Sequence, residues 1–350
     1  MKICFVLSAI EAEPVGTSVV LMRKAHERGH DLYIMGVGDF IFKQNTPMQL
    51  RCLLVNKKLT YKTVDDFWNQ VQDQGGQKTV ITSEDLDVLF LRNNPTEEAG
   101  HRQWAEHSGI AFARMLQQEG VLVLNDAFAM SHAYIDKLYF EELPSEIKPD
   151  SLITRNMDDL LEFWEKVGKR MVLKPLEGSG GQNIYLIGKD KKNLNQIFES
   201  LTSRGYVIAQ EFLPGVSKGD VRVIVMNGKV LEENGEKAVI RRLNSDKDEF
   251  RSNLALGAKP KKTKYTKAIQ HIVEVTAPKL IKDGLFFVGL DIVEDKLIEI
   301  NVLSPGGLDY CERIGLPCFA NSVIEAIERK IEYKKLYKNK LPNKVLATMD

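Results

Sequence analysis

Two carboxylates and an amide gather near the far end of the chain. Asp291 lies in Gly289-Leu290-Asp291-Ile292-Val293, and Glu299 and Asn301 lie in Lys296-Leu297-Ile298-Glu299-Ile300-Asn301. Residues two apart on a strand share a face, so Glu299 and Asn301 point the same way. Hard oxygen donors of this kind suit Mg²⁺, with Mn²⁺ as a compatible substitute. The side taken by Asp291 depends on the turn between the two strands. A three-residue loop, Glu294-Asp295-Lys296, sets Asp291 opposite Glu299 and on the Asn301 face, whereas a two-residue loop turns it away. The three-residue loop is expected. The apolar flanks Phe286, Phe287, Val288, Leu290, Ile292, Ile298 and Ile300 mark a buried sheet rather than a solvated edge hairpin, and unpaired carboxylates there would be costly.

Cationic and glycine-rich segments lie upstream. Lys174 sits on an apolar strand, Val172–Pro175, followed by Glu177-Gly178-Ser179-Gly180-Gly181 and a second strand, Ile184–Ile187. Such a loop can fold backbone N–H groups over phosphate oxygens. It lacks the G-K-[ST] ending of a P-loop and no helix follows directly, so alone it reads equally as a plain turn. Lys137 falls on a helix expected around Ala133–Glu142, where a solvated lysine is the alternative. Gln210-Glu211-Phe212-Leu213-Pro214-Gly215 ends another strand. In Asp220-Val221-Arg222-Val223-Ile224-Val225-Met226, Asp220 and Arg222 share one face. Arg92 follows the apolar Val88–Leu91 run. Its guanidinium fork suits a substrate carboxylate, although the residue type by itself favours a solvated surface arginine. The charged stretch from Arg241 to Arg251, holding Arg242 and Arg251, has the composition of a lid or of a plain surface loop.

The elements that must position these groups begin with an α/β alternation over roughly the first 125 residues. Ile3–Leu7, Leu32–Met35, Leu50–Val55, Val88–Leu91 and Val121–Leu124 read as strands, with helices over Thr17–Arg28 and His101–Gln118. Val15-Gly16-Thr17 lacks the G-x-G-x-x-G pattern, which argues against a dinucleotide-binding Rossmann site. A length of 350 residues suggests two or three domains. Lysines and arginines number 48 and so do aspartates and glutamates, so no global basic field exists to hold nucleic acid or an anionic membrane. No apolar run approaches the roughly 20 residues of a membrane helix. Four scattered cysteines point to a reducing, cytoplasmic setting. An amphipathic helix spans Ala320–Tyr333, and the lysine-rich tail from Lys334 is expected to fray.

With these elements in order, the chain resembles an ATP-grasp ligase of the prokaryotic glutathione synthetase family. The resemblance is densest in Ile153-Thr154-Arg155-Asn156, Phe163-Trp164-Glu165-Lys166, Leu173-Lys174-Pro175-Leu176, Gly178-Ser179-Gly180-Gly181, Asp220-Val221-Arg222-Val223, Arg251-Ser252-Asn253-Leu254-Ala255 and Gly284 to Val302. It implies an N-terminal α/β domain (1–125), a central lid (126–205) and a C-terminal domain (206–335) that completes a two-lobed ATP-grasp fold, then a tail (336–350). It also implies ATP between the two lobes, with Lys137 and Lys174 on the phosphates under the Glu177–Gly181 loop. Gln210, Glu211, Phe212, Leu213 and Asp220 would hold the rest of the nucleotide, and Asp291, Glu299 and Asn301 the metal. The implied reaction joins a carboxylate to an amine through an acyl phosphate, most simply γ-glutamylcysteine to glycine, with Arg222, Arg242 and Arg251 neutralising developing charge. Small-molecule substrates and a homo-oligomer are the implied partners. Another ATP-grasp peptide or amino-acid ligase, or a nucleotide-binding regulator without ligase activity, are the alternatives. One departure concerns substrate recognition. The family usually shows Thr-Ser-Pro-Thr after Val302, where this chain has Leu303-Ser304-Pro305-Gly306-Gly307. Ser304, Gly306, Gly307 and Arg92 are the expected substrate contacts, and the glycines would add backbone N–H donors.

Overall fold

The computed structural model describes residues 1–73, 75–95, 98, 100–177, 183–243 and 258–350. Its first sheet runs Phe40–Ile41, Gln49–Val55, Asp31–Gly36, Lys2–Leu7, Val88–Leu91, Leu122–Leu124. The last four strands are parallel, as short buried apolar runs joined by helices require. Gln49–Val55 is antiparallel to them and pairs also with Gly76–Thr82, a strand that the sequence pattern hides because it carries few apolar residues and buries only Ile81. The helix expected over His101–Gln118 divides into a 3₁₀ segment, Gly100–Ala105, and an α-helix, Ser108–Gln118. Gly109 does not weaken that helix without return. A Cβ there would lie 2.8 Å from Asn93 Oδ1, so glycine lets the helix close on the end of the Val88–Leu91 strand.

The second sheet is antiparallel, in the order Tyr185–Ile187, Met171–Pro175, Val207–Glu211, Ser151–Thr154. One face buries Leu173, Val207 and Ala209 with Leu160, Phe163, Trp164 and Phe198 of the helices Met157–Lys166 and Leu194–Thr202. The first of these helices is capped by Asn156, whose side chain accepts from the Asp158 N–H, a contact worth about 1 kcal/mol. The opposite face carries Lys174 and Gln210. Val207–Glu211, expected to open the C-terminal domain, pairs within this sheet. Residues 126–150, expected within the lid, contribute the helix Ala127–His132, packed on Ser108–Gln118, and the helix Asp136–Glu141, packed on Lys296–Asn301.

The third sheet, also antiparallel, runs Lys259–Lys262, Val239–Leu243, Asp220–Met226, Phe287–Val293, Lys296–Asn301. Val221, Val223 and Val225 join Ile269, Ile272 and Val273 of the helix Lys267–Lys282 in the core. Asp220 and Arg222 therefore take the other face. The hairpin that carries the carboxylates departs from expectation in its turn and agrees in its outcome. Val293 pairs with Lys296, so the loop holds two residues, Glu294 and Asp295. Ile292 then pairs with Leu297 but Asp291 with Glu299, which leaves Ile298 as an extra residue. This bulge restores the register that the short turn would have lost, and Asp291 shares a face with Glu299 and Asn301.

The tail is not frayed. Asn343–Thr348 is a helix with Leu346 and Ala347 buried, and the Asn343 side chain brackets Val123 by accepting from its N–H at 2.8 Å and donating to its carbonyl at 2.9 Å. Beneath it Lys330, fully buried, donates to Asn227 Oδ1 at 2.9 Å and to the Met349 carbonyl at 2.6 Å. Burial pushes the Lys330 amine down to about 7, with Asp350 offsetting only part of the effect. The unfolded chain, with an ordinary lysine, therefore binds more protons between about pH 7 and the usual lysine range near 10.5. Stability is expected to rise across that window, at up to about 1.4 kcal/mol per pH unit from this group. Lys330→Met should flatten the rise, read from denaturant melts at pH 7, 8 and 9, and an unaltered slope would disprove the assignment.

Candidate active site

Four buried charged side chains meet on one face of the third sheet. Asp220 lies opposite Arg242 on the adjacent strand, Arg222 opposite Asp291, and Asp291 opposite Glu299. Exposure is 4% for Asp220, 8% for Arg222, 7% for Arg242 and 1% for Asp291. Arg242 donates from Nε to Asp220 Oδ1 at 2.6 Å and pairs through Nη2 with Asp291 Oδ2 at 2.9 Å. Arg222 holds the same Asp291 in a two-point contact, through Nε to Oδ1 and through Nη2 to Oδ2 at 2.8 Å. Two guanidiniums and two carboxylates thus cancel, the condition under which such charges tolerate burial. Burial pushes the Asp291 carboxyl up, but the Arg222 and Arg242 guanidiniums outweigh it and hold it below the usual carboxylate range. Asp220, for which burial outweighs the attraction of Arg242, is pushed above that range. Gly289 leaves room for this packing, since a Cβ there would stand 3.2 Å from Pro305 and 3.4 Å from the Arg222 side chain.

The oxygen donors expected for the metal adjoin this group. Asn301 donates to Asp291 Oδ2 at 3.3 Å, and Glu299, half-buried, lines a narrow crevice with Lys137, Lys174, Ile208 and Ile298. Lys137 donates to the Pro175 carbonyl at 2.7 Å and Lys174 to Gln210 Oε1 at 3.3 Å. The crevice lies between the second and third sheets, with Lys174 on the wall of the second, Glu299 on the wall of the third, and Lys137 on the helix Asp136–Glu141 that packs on the third. Among the described residues Gln210 Nε2 is buried without a hydrogen-bond partner, a costly condition that a polar ligand atom would relieve. Next to it, the Arg170 guanidinium lies 3.9 Å from the centre of the Phe212 ring, and Glu211 accepts from the Asp150 N–H. Leu213 is partly buried, and Glu177 is exposed, two residues beyond the strand Met171–Pro175. Gly178, Ser179, Gly180, Gly181 and Arg251 lie outside the described residues. Among the described residues no three His, Cys, Asp or Glu side chains cluster as a metal site. Two carboxylates, one amide oxygen and phosphate oxygens are the set that fits Mg²⁺, which seldom occupies an all-protein cage.

The Leu303–Gly307 loop closes the site from the side of the first sheet. Arg92 is not a solvated arginine. It is 4% exposed, donates from Nε to Ser18 Oγ at 3.3 Å and from Nη2 to the Pro305 carbonyl at 2.9 Å, and packs on Phe90 and Phe287. Burial lowers its guanidinium to about 10, offset in part by Glu13. Ser304 Oγ donates to the Arg92 carbonyl at 2.9 Å. The Gly306 carbonyl accepts from Arg222 Nη1 at 2.9 Å. The extra N–H donor expected at Gly307 is already engaged, because it points at Thr17 Oγ1 at 2.9 Å. Sequence reasoning passed over Thr17, Ser18 and Asn125, whose amide clamps both Phe287 and the Val302 carbonyl. Each acts through hydrogen bonds to groups distant in sequence, and no local spacing signals that.

Comparison with known proteins decides the family. Residues 136–315 match the prokaryotic glutathione synthetase ATP-grasp domain, and residues 1–130 match the N-terminal domain of the same family. The chain belongs to the prokaryotic glutathione synthetase family. It is 30% identical over 318 residues to the glutathione synthetase of Vibrio cholerae, covering 90% of this chain and 93% of that one. Identity to the Yersinia pestis glutathione synthetase is 31% over 323 residues, covering 91% and 94%. Among solved structures, the ATP-grasp ligase PsnB with its minimal precursor superposes with a TM-score of 0.57 at 17% identity, covering 93% of this chain and 98% of that one. The D-alanine–D-alanine ligase of Bacillus anthracis complexed with ATP gives 0.51 at 13% identity, covering 95% and 100%. These likenesses show an ATP-grasp fold behind an N-terminal α/β domain. As a member of the glutathione synthetase family the chain is a ligase that forms a C–N bond, using ATP with a divalent metal. No helix among the described residues is long and apolar enough to cross a membrane.

Proposed function

We propose that the chain joins γ-glutamylcysteine to glycine, with ATP converted to ADP and phosphate. The observation that carries this reading is the shared face of Asp291, Glu299 and Asn301, set against two lysines and beside an arginine pair. Lys137 and Lys174 are assigned to the phosphates, and Gln210, with its unpartnered Nε2, to the nucleotide beyond them. Asp291, Glu299 and Asn301 would hold Mg²⁺ or Mn²⁺. Such an ion, when bound, neutralises phosphate oxygens and draws the terminal phosphoryl group into line.

The substrate carboxylate attacks the γ-phosphorus, the bond to ADP breaks, and an acyl phosphate results. The amine then attacks the acyl carbon, loses a proton, and phosphate departs. Neither step needs a protein nucleophile, and the chain's contribution is position and charge. Arg222 already presents its guanidinium at the junction of the metal carboxylate and the Gly306 carbonyl, where a transferring phosphoryl group and a tetrahedral oxyanion would need it. Arg242 stands behind it, between Asp291 and Asp220. Arg92 we assign to bracing the loop rather than to gripping substrate, since Ser18 and Pro305 occupy its Nε and Nη2. Leu303 and Gly306, where the family has threonines, support a second reading with a different acceptor amine. Phosphate release with γ-glutamylcysteine plus glycine, and with a panel of other dipeptides and amines, separates the two. Turnover confined to another pair would replace the first reading, and silence with every pair would remove both.

A further inference from the structure

Thr17, the first residue of the helix Thr17–Glu27, reaches across to the Leu303–Gly307 loop from the opposite end of the sequence. A hydroxyl offers one donor and two acceptor sites, and here all three are engaged. Thr17 Oγ1 accepts from the Gly307 N–H at 2.9 Å and the Leu308 N–H at 3.0 Å, and it donates to Asp309 Oδ1 at 3.2 Å. These N–H groups open the short helix Leu308–Arg313, which carries no cap from its own preceding residue. Thr17 thus supplies from another part of the chain the contact that a local serine or aspartate would give. Gly307 adopts φ of 137°, a backbone that side chains disfavour, so the bend needs something to hold it. The two carbonyls just before it accept from Arg92 and from Arg222. The loop is therefore pinned by its N–H groups on one side and by its carbonyls on the other.

The position of the Gly306 carbonyl bears directly on Arg222, whose Nη1 it receives while Nε and Nη2 hold Asp291. We infer that Thr17 is a positioning residue for the ligase reaction: its hydroxyl fixes the Gly306–Leu308 backbone, and through the Gly306 carbonyl it aims Arg222. The inference rests on the ligase reading above and extends it to a residue that touches neither nucleotide nor metal. The arginine fork must meet developing charge within a fraction of an ångström, and misplacement by about 1 Å costs on the order of 10²-fold in rate.

The test uses the full chain and two readouts, phosphate-release kinetics and calorimetric binding of ADP with Mg²⁺. Thr17→Val keeps the shape and removes the hydroxyl. Its kcat should fall on the order of 10²-fold while nucleotide affinity stays as in the parent. Thr17→Ser should restore most of the turnover. Should the valine variant not fold, Thr17→Cys differs from Thr17→Ser by one atom and is expected to turn over at least about tenfold more slowly, a barrier difference near 1.4 kcal/mol. Three results would each overturn the inference: turnover of the valine variant close to the parent's, equal turnover of the serine and cysteine variants, or a loss of nucleotide affinity in step with turnover. A parent chain that releases no phosphate with any substrate pair is a distinct result. It removes the ligase reading and the inference with it.

Discussion

Asp291→Asn is expected to lower turnover by at least about 10³-fold, from the loss of charge at the reacting phosphate, and to destabilise the fold as well. The second effect follows from the ion pairs. Asp291 is the shared partner of Arg222 and Arg242, and neutralising it leaves two buried guanidiniums with Asp220 alone. Breaking a buried pair on one side costs about 3–5 kcal/mol, and the remaining amide oxygen of asparagine should keep the loss near the lower figure. Glu299→Gln provides the contrast. Glu299 is half-buried on the crevice wall, so its substitution should cut turnover on the order of 10²-fold with an unchanged melting temperature. Phosphate release and thermal melts on both variants check the pair. If Glu299→Gln were fully active, the metal assignment would fail. If Asp291→Asn melted like the parent, the charge network would not bear on stability.

The two substitutions also mark how far the sequence reaches. Strand alternation put Glu299 and Asn301 on one face, and the period-two pattern did the same for Asp220 and Arg222. The superfamily was legible because its motifs sit at strand ends in a fixed order. The position of Asp291 was reached by a mistaken route. The turn has two residues, and the bulge at Ile298 makes good the difference. Bulges depend on how a strand packs against its partners, and Ile298 reads as any other apolar residue. The burial of Arg92 is hidden from the sequence for a related reason. Its burial comes from Phe90, Phe287 and the Pro305 carbonyl, of which only Phe90 is near in sequence. The lysines of the tail favour fraying, whereas Asn343, Leu346 and Ala347 secure it against the first sheet and the helix Lys267–Lys282. In each case a few long-range contacts outweighed a local composition.

Arg222→Gln should separate catalysis from binding, because its two expected effects have opposite signs. In the unliganded chain Arg222 competes with any cation for Asp291, holding both carboxylate oxygens. Shortening it to glutamine removes one of the two guanidiniums on that carboxylate and leaves Arg242 alone with both Asp220 and Asp291, so the site gains a net negative charge. Binding of ADP with Mg²⁺ should therefore tighten. Turnover should nevertheless fall on the order of 10²–10³-fold, since the removed fork is the group assigned to the transferring phosphoryl oxygens and the later oxyanion. Arg222→Lys keeps the charge without the planar fork and the contact to Gly306, so it should lie between the two in rate. Calorimetry and phosphate release on the same preparations decide the matter. Equal losses in binding and rate would make Arg222 a ground-state anchor for the nucleotide. Tighter binding with slower turnover is what a group working at the transition state, and standing in the metal's way before it, must produce.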